Sequence, residues 1–253
     1  MAQKISPQSD PNAMNILQRA LDEGFANDAT DHSRWMYKDH DTQPGKDSIF
    51  DVVDVPGDSL RRCIWFNGSV VGEDGIQSES ERIRKYIHDP SAQARNHKNN
   101  EHDDASAAAI MHRLPEAFIW SQKDENPEYI RLHYVPNPDF DASSMEAKVM
   151  SKMAGDLVID RKANRIYSLS GRLTQDVKLG FGLVRLKQGG TFDVERRDVG
   201  GGHWQIVEQH THIDGHALLF KTINQQEDEV KTNFRPSPAT SLEDGARMLK
   251  AIP

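Results

Sequence analysis

A single cysteine, Cys63, serves 253 residues, which excludes an intramolecular disulfide and any thiolate metal cluster. It stands in the apolar run RRCIWF (61–66), the setting of a buried structural thiol rather than a nucleophile. No apolar run approaches the roughly 18 residues that a spanning helix needs, so no transmembrane segment is expected. Hydrophobic residues reach only 36%, with a mean hydropathy of −0.71, so the core must be economical and the surface polar. Basic charge is outnumbered. Lys and Arg number 31 against 39 Asp and Glu, a net −8 that argues against a nucleic-acid or anionic-membrane partner. GxSxG, HExxH, P-loop and Cys–His patterns are all missing, so no catalytic residue and no cofactor is indicated. MAQKISPQSDP lacks the apolar stretch of a signal peptide; residues 2–13 read as the polar start of a mature chain, which is compatible with a removed export leader and does not decide it.

What is present begins with a polar segment, 1–12, expected to be disordered. In 13–27, Met14, Leu17, Leu21 and Phe25 fall on one helical stripe, with Asn12 as its cap. SRWMYKDHD (33–41), DSIFDVVDVP (47–56) and SLRRCIWFNG (59–68) read as strands joined by the turns TQPGK and GD. The charged stretch 76–126 reads as a helical insertion: two helices, the second at 103–114, joined by a solvated linker that includes NHKNNEHDD (96–104). PEYIRLHYVP (127–136) alternates, with Ile130, Leu132 and Tyr134 on one face. SSMEAKVMSKMA (143–154) predicts an amphipathic helix capped by Ser143 or Ser144, with Met145, Val149 and Met153 on its stripe. SLEDGARMLKAI (241–252) predicts a last helix opened by Ser241.

Between these helices, residues 155–234 alternate in short runs separated by RKAN, LKQGG, GGG and DGH, the pattern of an antiparallel meander. The order of elements gives an α+β architecture with a curved antiparallel sheet. Parity assigns Leu157, Ile159, Tyr167, Leu169, Leu173, Phe192, Val194, Trp204, Leu218 and Phe220 to the inner face, Ile206 sharing the side of Trp204. Hydroxyls and charges fall on the outer one.

Histidines cluster at 203, 210, 212 and 216. His210 and His212 share a strand face, a spacing that metal sites use, yet no third ligand can be placed and no metal is assigned. Either the strand becomes polar towards its end or a bulge turns both histidines outward. GFGLVRLKQGG (180–190) lacks the order of a phosphate loop and reads as a partly apolar loop at the sheet rim.

The run from Ala154 to Thr222, with GDLVID, IYSLSGRLTQDV, GFG, GGTFDV, GHW and GHALLFK in sequence, resembles a group of exported bacterial proteins of acidobacterial type. These are similar to the outer-membrane lipoprotein-sorting (LolA/LolB-like) superfamily, and RRCIWFNGSVV (61–71) fits their N-terminal strand–turn segment. The resemblance implies a half-open barrel wrapped around helices, a single LolA-like domain over 13–253 interrupted at 76–126, and a periplasmic location.

The function expected on this basis is non-enzymatic: a lipid, an acyl chain or another apolar ligand held in the concave sheet face. Trp35 and Phe66 would join the ten inner-face residues as its lining. Burial of an acyl chain would supply about 0.8 kcal/mol per CH₂. Two alternatives stand beside it: an envelope scaffold or interaction protein with a filled core, and a metal-assisted hydrolase using His210 and His212.

Overall fold

Asp10 and Pro11 start the first helix, α1 (Pro11–Asp28). The Asp10 carboxylate accepts from the Asn12 N–H at 2.9 Å, and proline at the first helical position forgoes a donor that would be orphaned anyway. The cap is therefore Asp10 and not Asn12. The start of the chain is also tied down from Ser9 onwards, since Ser9 Oγ accepts from the Trp120 N–H (3.0 Å) and the Asp10 N–H donates to the Trp120 carbonyl (2.8 Å). The computed structural model describes residues 8–179, 184–217 and 221–252, with backbone alone for 216, 217 and 221–225.

Three strands follow, β1 (Trp35–Gln43), β2 (Lys46–Val55) and β3 (Asp58–Phe66). Their turns use Gly45 (φ 77°) and Gly57 (φ 74°), a backbone region that other residues avoid. The short β4 (Ser69–Val70) leads into α2 (Glu73–Ile87) and then α3 (Pro90–Ala117). Only His88 and Asp89 separate these helices, so the expected solvated linker is itself helical. Asp89 accepts from the Ala92 N–H at 2.9 Å, His97 pairs with Glu101 one turn on, and the alanines at 105–109 carry the helix forward. A polar sequence forbids burial, not helicity.

The stretch 76–126 also ends in a strand, β5 (Phe118–Glu125), which pairs with β6 (Tyr129–Pro136). Then come α4 (Met145–Met150), β7 (Met153–Asp160), β8 (Arg165–Leu173), β9 (Val177–Leu179), β10 (Val184–Leu186), β11 (Thr191–Asp198), β12 (Trp204–Ala217), β13 (Lys221–Pro236) and α5 (Leu242–Met248). Met153 thus belongs to a strand, and it is Ala147 and Met150 that α4 buries, leaving Met145 exposed. DGH (214–216) is no turn, because β12 runs through it.

Among the described residues these elements make an α+β protein with five helices and one antiparallel sheet of thirteen strands. The order is β4-β3-β2-β1-β13-β12-β11-β8-β7-β6-β5, with β10 on β12 and β9 on β10; the sheet does not close. Among the same residues, no helix is long and apolar enough to cross a membrane.

The chain packs as two compact units, one of residues 1–31, 108–196 and 209–226, the other of 32–107, 197–208 and 227–253. In the first, α1 lays Leu17 and Leu21 on Trp120, Leu132, Tyr134, Leu157, Ile159 and Leu173. In the second, Val53, Val55 and Leu60 pack with Ile83 and Ile87 of α2 and Ala246 of α5. The exposed edge of β3 is blunted by α2, where Glu79 accepts from the Cys63 N–H (2.9 Å) and Arg82 donates to the Arg61 carbonyl. Cys63 is half-buried, and its thiol, which donates to the Trp65 carbonyl (3.3 Å), is raised in pKa chiefly by burial.

The short α4 depends on its cap, since Ser144 Oγ accepts from the Ala147 N–H at 3.1 Å. Ser144→Ala should cost about 1 kcal/mol in urea unfolding, whereas Ser143→Ala should be close to neutral.

Candidate functional site

The inner face of the first unit is covered in part. Leu157 and Leu173 are fully buried and Ile159 is 1% exposed, while Leu169, Phe192 and Val194 are half-buried, the first two against the same core. Phe192 and Val194 do stand opposite Gly171 and Leu169, as alternation predicts. Tyr167 does not follow the pattern. A bulge in β8 shifts the register and sets Ile166 opposite Ile159, so Ile166 takes the core position and the Tyr167 hydroxyl donates to Glu195 (3.1 Å).

Trp35 and Trp204 are buried in the second unit. Phe66 is 47% exposed at the end of β3. Leu218 and Phe220 lie outside the described residues. Ile206 is exposed and Val207 buried, so the inward phase of β12 changes from even to odd numbers after Trp204. That change puts His210 and His212 on the outward series, with His212 exposed. His203 instead sets its ring edge-on to Trp35, centroids 5.8 Å apart. Among the described residues, no group of three His, Cys, Asp or Glu side chains could hold a metal ion.

Polar chemistry gathers elsewhere, on one face of β1, β2, β3 and β13. Alternation along β1 brings Tyr37, Asp39 and Asp41 to the same side, opposite Val52, Phe50 and Ser48 of β2. On the other flank Asp39 meets Lys231 and Asp41 meets Glu229 of β13, and Arg61 of β3 stands opposite Val52.

Asp39 is only 4% exposed. The counter-ions of Asp39 and Asp41 keep their distance: Arg61 Nη1 is 3.8 Å from Asp39 Oδ2, Arg61 Nη2 is 3.7 Å from Asp41 Oδ2, and Lys46 Nζ is 3.9 Å from the same Asp41 oxygen. All three exceed hydrogen-bonding reach. The Arg61 guanidinium rests on the Phe50 ring, 3.6 Å from its centroid. Among the described residues, Asp39 Oδ1 and Ser48 Oγ are both buried without a hydrogen-bond partner.

The electrostatics follow from this geometry. Burial pushes the Asp39 carboxyl up to about 6 and the Glu229 charge adds to the rise, with Lys231 and Arg61 offsetting only part of it. Burial likewise raises the Tyr37 phenol, helped by Asp54 and Asp39; that ring stacks on Phe234 at 5.0 Å. Such a face can accept hydrogen bonds from a cation, or hold a proton, at Asp39.

No family model, curated protein or solved structure matches this chain. Function therefore rests on the geometry.

A second polar group lies on the first unit. His133 Nδ1 is 2.8 Å and Lys123 Nζ 2.9 Å from the two oxygens of Asp156. Burial alone would raise that carboxyl, but the two hydrogen bonds and their charges more than offset it and the pKa is lowered. A shallow depression of about 340 Å³ beside it is floored by Gly155 and Gly171 and rimmed by Asp156, Ser170 and Asp193. Asp156 is already satisfied there, unlike Asp39.

Parity in WMYKDHD would have placed Asp39 and Asp41 on the side of Trp35. Carboxylates on a strand suggest solvent, however, and nothing in the sequence marks Asp39 as buried.

Proposed function

We propose that this chain is a binding module that takes up a cationic group on the polar face of β1, β2, β3 and β13, its helices serving as core rather than as a lid. One observation carries the reading: a buried carboxylate oxygen on Asp39 and a buried Ser48 hydroxyl, both without partners on the same face. Leaving such groups unpaired costs roughly 1–3 kcal/mol each, which a ligand carrying donors recovers. The apolar alternative, a lipoprotein-sorting-like half-barrel with an acyl chain, requires room over Leu157 and Leu173. α1 occupies that side, which favours the filled-core interaction protein.

A thermal-shift comparison separates the two. Methylammonium or methylguanidinium chloride should raise the Tm of the wild type above a sodium chloride control, and Asp39→Asn should abolish the increase. A fluorescent fatty acid should not bind saturably. Saturable fatty-acid binding with no response to either cation would restore the apolar groove.

A further inference from the structure

Arg61 holds its cation where a ligand's cation would go, yet holds it poorly. It spans Asp39 and Asp41 at 3.8 and 3.7 Å, whereas charge-assisted N–H···O bonds close to about 2.7–2.9 Å. Its side chain is 44% exposed, so the head can leave for solvent without disturbing the core. The reason for the poor fit is visible in the sheet. Arg61 is tethered to β3, one strand beyond β2, and reaches Asp39 and Asp41 of β1 across Phe50.

A free planar cation has no such tether. Stacked on the Phe50 ring, it can move about 1 Å closer than Arg61 does and reach hydrogen-bonding distance of a carboxylate. The unpaired Asp39 Oδ1 is then within the reach of its N–H groups, and the Ser48 hydroxyl, opposite Asp41, can turn to the ligand or to that carboxylate. Two carboxylates two residues apart on one strand, beside an aromatic face, match a flat fork of donors better than a compact ammonium.

We infer that Asp39, Asp41, Ser48 and Phe50 form a slot for a guanidinium group, and that Arg61 is its intramolecular occupant, displaced when the ligand binds. The inference rests on the cation-binding reading above and narrows it to one chemistry and one competing residue. The guanidinium can belong to a small molecule or to an arginine side chain of a peptide, and the two sources are separable by probe.

The test titrates methylguanidinium, N-acetyl-arginine-amide and methylammonium, at constant ionic strength, into the wild type and the Arg61→Ala, Arg61→Met and Asp39→Asn variants. Backbone amide shifts report site occupancy, and circular dichroism confirms the fold of each variant. Removing the competitor should tighten guanidinium binding at least tenfold in both Arg61 variants, and Asp39→Asn should weaken it at least tenfold. Methylammonium should bind more weakly than methylguanidinium. Tighter binding of N-acetyl-arginine-amide than of methylguanidinium identifies a peptide source, and the reverse order a small molecule.

Unchanged or weaker guanidinium binding in both folded Arg61 variants overturns the displacement. Asp39-dependent binding that prefers methylammonium overturns the guanidinium slot but leaves the cation-binding reading intact. Failure of every cation to bind, in wild type and variants alike, removes both.

Discussion

Gly155→Ala should destabilise the protein by about 3 kcal/mol, the upper end of the cost of overpacking a core. Gly155 of β7 stands between Tyr134 of β6 and Gly171 of β8. The Tyr134 side chain crosses this pair of glycines to donate its hydroxyl to the Ser170 carbonyl at 2.9 Å. A methyl group on Gly155 would overlap that carbonyl oxygen and come within 2.8 Å of both Gly171 Cα and the Tyr134 hydroxyl. The first two are backbone atoms, so the strands themselves must separate.

Gly171→Ala is opposed by the Phe192 ring and the Tyr134 hydroxyl, side chains that can turn, and should cost less. Gly24→Ala in α1 meets nothing within 4 Å among the described residues and should stabilise by roughly 0.5–1 kcal/mol, the same change with the opposite sign. Urea unfolding of the three variants checks the order. A Gly155→Ala protein as stable as the wild type would show that the sheet yields there at little cost.

Asp39→Asn should remove a pH dependence of stability worth roughly 2–3 kcal/mol, from a shift of about two pH units at 1.36 kcal/mol each. The folded carboxyl titrates near 6, above its ordinary value of 3.8. Between those values the folded state binds more protons than the unfolded chain. Stability from this residue is therefore fully present at low pH and is lost as pH rises from about 4 through 6. Tyr37, Asp41, Arg61, Glu229 and Lys231 keep their places, so the difference between wild type and variant isolates Asp39.

The wild-type profile alone would not suffice, because Asp156 and Asp176, lowered in pKa, shift stability the other way. Denaturant unfolding of both proteins at pH 4, 6 and 8 gives the comparison. The variant should be the more stable at pH 8 and nearly equal at pH 4; parallel profiles would mean that Asp39 pays no burial penalty.

Much of the fold was legible wherever local chemistry decides. The turns at Gly45 and Gly57, the stripe of Leu17 and Leu21, the Ser241 cap and the alternation of Leu132 with Tyr134 all emerged as read, and of Ser143 and Ser144 it is the second that caps α4. What escaped depends on a single residue's phase or on distant partners. One extra residue at Tyr167 exchanges it with Ile166, and a change after Trp204 moves Ile206 outward and Val207 in, because strand periodicity is two and any slip inverts the faces. The N-terminal half of α3, ahead of the helix expected at 103–114, escaped because hydrophobic periodicity, the usual helix signal, is absent from a helix that is solvated along most of its length.

By itself the sequence determined an antiparallel α+β protein with a polar surface, a single cysteine and an apolar sheet face, since composition, turn chemistry and alternation act over a few residues. Only the tertiary structure decided that α1 fills part of that face and that the carboxylate needing a partner is Asp39 on β1. Burial is set by what lies across from a residue, and Phe50, Arg61, Glu229 and Lys231 reach Asp39 from strands up to 192 positions away along the chain.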